Sequence, residues 1–367
     1  MRNITDDTTG VGRSGVGQFV QFLYFCTKLL LRMILRNISI KNYNTFGLDY
    51  KANYFITINS ETEAISLLKG RESLIEPVFI LGSGSNLLFT KDFEGTIIHP
   101  EIGGVAVEEQ THDSVVVSSG AGIIWDYLVH WSVHHGYYGF ENLSLIPGMV
   151  GATPVQNIGA YGVEIGETIE RVRTVSISDG TIREFSNNEC KFTYRDSIFK
   201  DELKGKYLVT KVFFRLGTEP SLNTDYGSLK EEAAKLGPLS QDTVRQAVIN
   251  IRKNKLPDPE KKGNAGSFFK NPVVRSEVAE YLISKYPGIP YYDDKEGYKK
   301  IAAAWLIEKC GWKGKRIGNA GVDNNQALVL INYGGATGRE LLQLSESIKK
   351  SVSDKFGIEF EKEVEVI

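Results

Sequence analysis

Two glycine-rich stretches supply the residue types that suit a loop around a phosphate group or a flat ring. The longer one, residues 147–162, contains four glycines and two prolines. Glycine lets the backbone approach a ligand closely and present its amide groups, while proline fixes turns. This composition favours a ligand-binding loop, with an ordinary long surface loop as the alternative. The predicted contacts in it are Pro147, Gly148, Gly151, Ala152, Gln156, Asn157, Gly159, Ala160 and Tyr161.

The shorter stretch, residues 82–87, follows a predicted strand and begins like a dinucleotide-binding fingerprint. The fingerprint is incomplete, because Leu87 replaces the third glycine and no long helix follows to receive a pyrophosphate. A tight turn without a ligand is therefore the alternative to a second ligand-binding loop. Two separated ligand-binding loops would suit an extended cofactor bound between two small domains. The predicted contacts here are Gly82, Ser83, Gly84, Ser85, Asn86 and Leu87.

Other kinds of site find little support in the sequence. The three cysteines are isolated, and the five histidines form no HExxH arrangement, so we expect neither a disulfide framework nor a catalytic metal. Isolated cysteines also favour a reducing cytoplasm. The 43 basic and 45 acidic residues nearly balance, which argues against a nucleic-acid binder and favours a small-molecule partner.

Residues 1–36 differ in composition from the rest of the chain. An apolar run begins at Gln18, but Lys28 and Arg32 interrupt it and no small-residue cleavage site follows. A membrane-spanning helix or a signal peptide is therefore disfavoured. We interpret the segment as an extension outside the fold, with translation starting at Met33. An amphipathic helix on a membrane surface is the alternative.

With 367 residues the chain is long enough for two or three domains. The first unit has predicted strands at 54–58, 78–81 and 95–98, and a capping box from Ser60 to Glu63 opens a helix. This pattern indicates a small α/β unit.

A second unit, rich in strands, extends from about residue 114 to residue 216. Residues 172–185 predict a hairpin about Asp179-Gly180, a dipeptide suited to a type I′ turn. A long strand follows at 207–216. The pattern indicates an α+β unit.

The last third alternates between helical and extended patterns, which makes a third domain plausible. The predicted helices are 243–253, 301–310 and 339–352, and the predicted strands are 327–332 and 358–367. In the last helix Leu341, Ser345, Ile348, Val352 and Phe356 share one face.

Several motifs, in order and spacing, resemble the UDP-N-acetylenolpyruvoylglucosamine reductases from about residue 38 to the end. The tyrosine within Asp225-Tyr-Gly-Ser-Leu resembles the substrate-covering loop of their type I subgroup. The matching motifs are Asn44-Thr-Phe-Gly47, Gly82-Ser-Gly-Ser-Asn86, Ile146-Pro-Gly148, Gln156-Asn-Ile-Gly-Ala-Tyr-Gly-Val-Glu164, Tyr194-Arg-Asp-Ser-Ile-Phe-Lys200 and Gly263-Asn-Ala-Gly-Ser-Phe-Phe-Lys-Asn-Pro272.

The resemblance implies an α+β fold with three domains. Two of them form a two-part FAD-binding fold of the vanillyl-alcohol-oxidase (PCMH) type, and a C-terminal α+β domain binds the substrate. We expect boundaries at 37–102 and 103–238 for the flavin part and 239–367 for the substrate part. Residues 1–36 have no counterpart in the family pattern.

The resemblance also implies a reaction. NADPH reduces bound FAD, and a hydride then passes from flavin N5 to C3 of UDP-N-acetylglucosamine enolpyruvate, giving UDP-N-acetylmuramate for the peptidoglycan of the cell wall. Ser267 matches the acid that protonates C2, and Arg195 matches the arginine beside the substrate carboxylate. Glu363 matches a carboxylate that assists enolate stabilisation. These three are the predicted catalytic residues.

Glu363 has the strongest alternative interpretation. Glu359, Glu361, Glu363 and Glu365 would share one face of a strand, a pattern typical of a solvated edge. The family pattern also has proline before this glutamate and a basic residue two positions after it, where this chain has Lys362 and Glu365.

By the same match, substrate contacts are expected from several further side chains. Lys255 supplies a point charge suited to a diphosphate, although lysines in a charge-rich helix end are often solvated. Arg252 is a weaker candidate of the same kind. The predicted contacts are Tyr194, Tyr226, Lys255, Asn271 and Gln326.

Two other functions stay open. A flavin oxidase of the same fold would use oxygen in place of NADPH, but the motifs at 194–200 and 264–270 favour the reductase. A nucleotide-sugar-binding module without activity would be expected to lack Arg195, Ser267 or the glycine loops, and all are present. We therefore expect a monomeric cytoplasmic reductase with a UDP-sugar substrate, no nucleic-acid partner and no membrane anchor.

Overall fold

The computed structural model of the protein describes residues 34–367. In chain order the strands are β1 (Ile34–Ser39), β2 (Lys51–Ile58), β3 (Val78–Ile80), β4 (Leu87–Leu88), β5 (Phe93–Pro100), β6 (Val105–Gln110), β7 (Ser114–Gly120), β8 (Gly159–Ala160), β9 (Val163–Glu164), β10 (Ile169–Ser176), β11 (Ile182–Ser186), β12 (Tyr207–Gly217), β13 (Val273–Arg275), β14 (Tyr291–Asp293), β15 (Tyr298–Ile301), β16 (Arg316–Ile317), β17 (Ala320–Val322), β18 (Leu330–Asn332) and β19 (Glu365–Val366). The helices are α1 (Glu61–Lys69), α2 (Trp125–His134), α3 (Asn187–Cys190), α4 (Leu229–Ala234), α5 (Gln241–Lys255), α6 (Ser276–Lys285), α7 (Ala303–Lys309) and α8 (Gly338–Phe356).

The first sheet has the order β1-β2-β5-β3, with β1 antiparallel to β2 and the other pairs parallel. Ile34 lies opposite Ile56 and Arg36 opposite Tyr54, so residues 34–36 belong to this sheet. The boundary predicted after residue 36 is therefore too late. The predictions for residues 1–33, including a start at Met33 and the alternative of a membrane-surface helix, lie outside the described range.

Helix α1 covers this sheet and begins where the sequence predicts. The Ser60 side chain accepts a hydrogen bond from the Glu63 amide at 3.1 Å. The Glu63 carboxylate in turn accepts from the Asn59 amide at 2.8 Å, one residue earlier than a capping box requires.

The second sheet is antiparallel, with the order β11-β10-β12-β7-β6. Helix α2 packs its Trp125 ring against Phe140 and Phe214, with ring centroids 4.9 and 6.1 Å away. The predicted hairpin of β10 and β11 forms, but its turn is not type I′.

That turn spans residues 177–181, in which Gly180 has a positive φ of 69° and Asp179 does not have a positive φ. The Asp179 carboxylate accepts a hydrogen bond from the Thr181 amide at 3.0 Å, and Gly180 packs against α1. A Cβ at Gly180 would lie 2.9 Å from the Ile65 carbonyl oxygen. Tertiary packing on α1 thus replaces the local two-residue turn.

The remaining chain forms two three-stranded sheets, β13-β15-β14 and β16-β17-β18. Helix α8 buries the predicted face against β17, β18 and α7, with a capping box at Thr337 and Glu340 and a left-handed Gly357 at its end. No helix within residues 34–367 is long and apolar enough to cross a bilayer.

The alternation of residues 358–367 predicts one continuous strand, and this prediction is wrong. Only Glu365 and Val366 form a strand, which pairs in parallel with β4. Ile358, Phe360 and Val364 are buried, so the apolar residues of the alternating pattern do face the core, although most of the segment forms no regular strand pairing. The result is that the C-terminal segment lies against the loop at residues 82–87.

Candidate active site

A cavity of about 430 Å³ lies between the two glycine-rich loops. Its walls also include Phe199, Tyr207 and Ile367, and its charged lining residues are Lys200, Lys204, Glu363 and Glu365. We call it the larger cavity. The predicted cofactor contacts that line it are Gly82, Ser83, Gly84, Ser85, Asn86, Leu87, Pro147, Gly148, Gly151, Ala152 and Gln156.

Four predicted cofactor contacts lie elsewhere. Gly159 lines a second cavity, and Asn157, Ala160 and Tyr161 line neither. The Asn157 amide instead donates to Glu164 Oε2 at 2.8 Å and to the Thr193 carbonyl at 2.9 Å. Asn157 thus fixes the end of the loop, a role that its position beside Gln156 does not reveal.

The glycines of these loops serve different purposes. A Cβ at Gly84 would lie 2.1 Å from the Tyr43 carbonyl oxygen, and one at Gly151 would lie 2.7 Å from the Ala121 Cβ. Both glycines therefore allow segments of the protein to pack closely. Gly148, with φ of +148° and no such clash, is required by its backbone conformation. The glycine-rich composition reflects packing as much as room for a ligand.

The larger cavity fits a flavin dinucleotide. Within residues 34–367, the Ser83 hydroxyl is buried without a hydrogen-bond partner, a group that a phosphate oxygen would satisfy. Ser85 donates to the Pro147 carbonyl at 2.9 Å and so links the two loops. Apolar residues such as Trp125, Ile146 and Met149 line the rest of the wall and suit a flat ring.

A second cavity of about 230 Å³ adjoins the first and shares Ser85, Asn86, Gln156 and Glu363 with it. We call it the smaller cavity. All three predicted catalytic residues line it, together with two predicted substrate contacts. These five are Arg195, Ser267, Glu363, Tyr194 and Asn271.

Arg195 and Glu363 form an ion pair, with Nε 3.2 Å from Oε1 and each side chain 17% exposed. The Arg195 guanidinium also donates to the carbonyls of Gly159 and Asn157. Its backbone is left-handed, with φ of +57°, which is uncommon for a residue other than glycine. Several contacts therefore hold the guanidinium in one place.

Glu363 is the only one of the alternating glutamates at the smaller cavity, so the solvated-edge interpretation is wrong for it. Glu359 and Glu361 are exposed. Burial raises the pKa of the Glu363 carboxyl above its ordinary range, although Arg195 and the nearby lysines oppose the shift. Its backbone is held by the Phe268 carbonyl, 2.9 Å from its amide, and its own carbonyl accepts from the Asn86 side chain at 3.1 Å.

The two departures from the family pattern around Glu363 face away from the smaller cavity. The Glu365 carboxylate lies 2.6 Å from Lys204 Nζ, in the wall of the larger cavity. The Lys362 ammonium lies 2.6 Å from Glu346 on α8. Glu365 therefore brings its negative charge, already paired, to the larger cavity.

Ser267 sits on the segment that joins α5 to β13. Asn264 fixes the loop by donating to the Lys262 carbonyl at 2.8 Å and accepting from the Gly266 amide at 3.0 Å. Gly266 has φ of +68°, and Ser267 forms a β-bridge with Val329. In the described part of the chain, no group bonds the Ser267 hydroxyl, which leaves it able to interact with a ligand.

Three predicted substrate contacts do not line the smaller cavity. Tyr226 is 45% exposed, with ring centroids of Tyr161 and Tyr292 at 6.1 and 6.5 Å. Lys255 is exposed at the end of α5. Gln326 is buried and accepts from the Leu328 amide at 3.3 Å.

The structure places further charged residues at or near the two cavities, and among them only Arg252 is a candidate from the sequence. Arg252, the weaker candidate, lines the smaller cavity and its Nε is buried without a partner among the described residues. Lys200 lines the larger cavity, and Lys270 lies near Glu363. Lys200 and Lys270 each end the phenylalanine-lysine pair of a recognised motif, a shared signal that could have identified them.

The family models match both halves of this arrangement. The model described as FAD binding domain matches residues 52–186, and the model described as UDP-N-acetylenolpyruvoylglucosamine reductase, C-terminal domain, matches residues 258–367. The first range contains both glycine-rich loops. The second contains Ser267 and Glu363.

Relatives match nearly the whole chain. A UDP-N-acetylenolpyruvoylglucosamine reductase from Flavobacterium johnsoniae is 46% identical over 338 residues, covering 91% of this chain and 99% of the relative. One from Bacteroides fragilis is 47% identical over 329 residues, covering 90% and 98%. The crystal structure of the reductase from Thermus caldophilus has a TM-score of 0.62 at 26% identity, covering 91% of this chain and 98% of that one. The chain therefore belongs to the UDP-N-acetylenolpyruvoylglucosamine reductase family of FAD-dependent oxidoreductases.

Proposed function

We propose that this protein uses NADPH and bound FAD to reduce UDP-N-acetylglucosamine enolpyruvate to UDP-N-acetylmuramate. The product would serve as a precursor of peptidoglycan. The observation that carries the proposal is that Arg195, Ser267 and Glu363, from three distant parts of the chain, line one polar cavity. That cavity shares a wall with the larger cavity between the glycine loops.

The larger cavity would hold FAD, with Ser83 and the loop amides toward the diphosphate. When bound, FAD supplies the hydride that NADPH has delivered and that C3 of the substrate receives. The chain itself must then stabilise the negative charge that develops on the substrate and add a proton at C2.

Arg195 is suited to the first task. A planar guanidinium can bind two carboxylate oxygens and favours the enolate that forms as negative charge moves onto them. Its bonds to the carbonyls of Gly159 and Asn157 orient it before the substrate arrives. Fixed donors of this kind avoid reorganisation during the reaction.

Ser267 would deliver the proton to C2, because its hydroxyl lines the cavity and is free for a ligand. Glu363 would assist the enolate. Burial raises its pKa, so it takes up a proton more readily than an exposed carboxyl does, and in the protonated form it can donate a hydrogen bond. The Phe268 carbonyl, one residue after Ser267, accepts from the Glu363 amide and keeps the two residues adjacent.

Substrate binding by Tyr194, Asn271, Tyr226, Lys255 and Gln326 is part of the same proposal. Lys255 lies next to Leu256, and Gln326 lies two residues before Leu328; both neighbours line the smaller cavity. Tyr226 is exposed beside Tyr292 and could cover a bound UDP-sugar, as expected for the type I subgroup.

We further propose that the sheets correspond to three domains of the expected kind. The four-stranded sheet and the five-stranded sheet would form the two parts of a PCMH-type FAD-binding fold, and residues 239–367 the substrate domain. A monomer working in the cytoplasm is consistent with this organisation.

The test is an anaerobic spectroscopic titration of the purified protein. A yellow protein that NADPH bleaches and that UDP-N-acetylglucosamine enolpyruvate recolours would establish both half-reactions. A flavin that only oxygen recolours would indicate an oxidase. A protein that binds the nucleotide sugar but no flavin would indicate a binding module.

A further inference from the structure

Lys200 lies in the wall of the larger cavity and has no role in the proposed mechanism. It ends the segment 194–200, lines the larger cavity together with Glu363, and donates from Nζ to the Arg195 carbonyl at 3.1 Å. A lysine spends considerable side-chain entropy when it is held against one partner. Its position therefore calls for a functional explanation.

The backbone conformation of Arg195 is the first reason to assign a function to Lys200. A left-handed conformation is unfavourable for an L-residue and persists only where its surroundings hold it. The neighbouring Thr193 and Asp196 exchange two backbone bonds of 3.1 Å across Arg195. Lys200 adds a bond to the Arg195 carbonyl itself. The guanidinium is fixed by the loop at 157–159, and Lys200 fixes the other end of the same residue.

The positive charge around the Glu363 carboxyl is the second reason to assign a function to Lys200. Cations face this carboxyl from two segments: Arg195 and Lys200 from residues 194–200, and Lys270 from the loop that carries Ser267. Tyr194 also interacts electrostatically with Arg195 and Glu363. Two further carboxylates are near: Glu164 lies 3.8 Å from Arg195, and Glu365 lies two residues after Glu363 and acts on the charge of Lys200. Among the cations, Lys200 is itself partly buried, and this burial and the charge of Lys270 lower its pKa.

We propose that Lys200 is a positioning residue of the active site. Its ammonium group holds the Arg195 backbone in the conformation that aims the guanidinium into the smaller cavity, and it provides a fixed positive charge beside Glu363. The catalytic role of Lys200 rests on the proposed function. Its effects on the Arg195 backbone and on the charge at Glu363 can be measured without turnover.

The other candidate role for Lys200 is a contact to a phosphate of the cofactor, since it lines the larger cavity. Its bond of 3.1 Å to the Arg195 carbonyl and the three carboxylates that act on its charge, Glu363, Asp196 and Glu365, favour the positioning role. The two roles differ in what a substitution does to flavin affinity, so the experiment below separates them.

The variants are Lys200→Met, which removes the charge and the bond, and Lys200→Arg, which keeps a cation. Lys206→Met is the matched control, because Lys206 also donates to a backbone carbonyl, that of Glu202, at 2.9 Å, but on the exposed surface. Each protein is loaded with FAD. The thermal midpoint and the flavin dissociation constant are measured first.

The first readout is the pH dependence of the bound flavin absorbance, with Glu363→Gln as the reference that removes the Glu363 transition. Loss of a nearby cation disfavours the carboxylate. The transition should therefore move to higher pH in Lys200→Met and return toward the wild-type position in Lys200→Arg. An absent or unshifted transition would overturn the proposal, whether or not the wild type reduces the enolpyruvyl substrate.

The second readout is kinetic. If the wild type reduces the substrate, kcat of Lys200→Met should fall about 10–100-fold, the range expected when a catalytic group is displaced slightly. Flavin affinity and flavin reduction by NADPH should stay at the wild-type level, and Lys206→Met should behave as wild type. A loss of flavin affinity that accounts for the lost activity would assign Lys200 to the cofactor and refute the positioning role. A wild type without the reaction would refute the proposed function and leave the first readout to decide on Lys200.

Discussion

The two adjoining cavities are built in opposite ways. The larger one is walled mainly by backbone and apolar side chains, and its charged lining residues are two lysines and two glutamates. The smaller one brings Arg195, Arg252, Glu363 and Ser267 into about half the volume. A cofactor that stays bound can be held by shape and backbone amides, whereas a developing charge requires fixed ionic groups.

The two cavities should also differ in which substitutions they tolerate. In the larger cavity the sensitive positions are those where segments of backbone touch, such as Gly84. In the smaller cavity they are the charged and polar side chains that line it, such as Arg195 and Ser267. Substitutions in the first should alter folding and flavin content, and substitutions in the second should alter chemistry.

Ser267→Ala should have the largest effect on chemistry. Removing a proton donor costs about 10²–10⁴-fold in rate, so recolouring of the reduced enzyme by the enolpyruvyl substrate should slow by that factor. Flavin content and bleaching by NADPH should be unchanged. Rapid-mixing absorbance measures both half-reactions separately. A wild-type rate of recolouring would remove Ser267 from the mechanism and weaken the division between the cavities.

Gly84→Ala should act on the larger cavity through folding. The new Cβ would lie 2.1 Å from the Tyr43 carbonyl oxygen, at a φ of +63°. We expect a loss of about 1–3 kcal/mol in the free energy of unfolding, with weaker flavin binding. Denaturant titration and flavin content measure these. Gly103→Ala is the control, since Gly103 has an open environment and no positive φ; equal losses in both variants would contradict the packing argument.

Glu365→Gln should strengthen flavin binding modestly. It releases Lys204, 2.6 Å away in the wall of the larger cavity, to face an anionic cofactor. Because the pair is partly exposed, we expect a gain of at most about fivefold in affinity, reduced by salt. Fluorescence titration of the apoprotein with FAD measures it. Glu202→Gln, which breaks the exposed Lys191–Glu202 pair, should have no effect; weaker binding in Glu365→Gln would show that Glu365 supports the cofactor.

Glu61→Gln should have the smallest effect and should leave both cavities unchanged. Glu61 on α1 binds Arg173 on β10 through bonds of 2.8 and 2.9 Å and so joins the first two sheets. We expect a loss of at most about 1 kcal/mol in unfolding free energy, because the pair is partly exposed. Altered kinetics of either half-reaction would show that the link between the sheets affects the site.

The same pair gives a pH dependence of stability. The hydrogen bond from Arg173 lowers the pKa of Glu61 in the folded protein, against the effect of burial. Its contribution is therefore fully present above the pKa of the unfolded chain and is lost as pH falls through the lower folded pKa. The stability difference between wild type and Glu61→Gln should accordingly shrink in acid, which urea titrations at several pH values would measure.

Local patterns of the sequence determined the elements whose stabilising bonds are local. The caps at Ser60 and Thr337, the buried face of α8 and the strand before residue 82 follow from hydrogen bonds and spacing within a few residues. The recognised motifs also indicated which side chains would line the two cavities, including Arg195, Ser267 and Glu363. Composition marked the glycine loops.

Tertiary structure decided what depends on contacts between distant segments. Packing of Gly180 on α1 replaced the type I′ turn, and pairing of Glu365 with Leu87 left only a short strand where the alternation predicted a long one. Burial of Glu363 between Arg195 and Phe268 separated it from glutamates that look equivalent in the sequence. Desolvation and charge pairing are properties of the assembled site, and for that reason spacing along the chain did not reveal them.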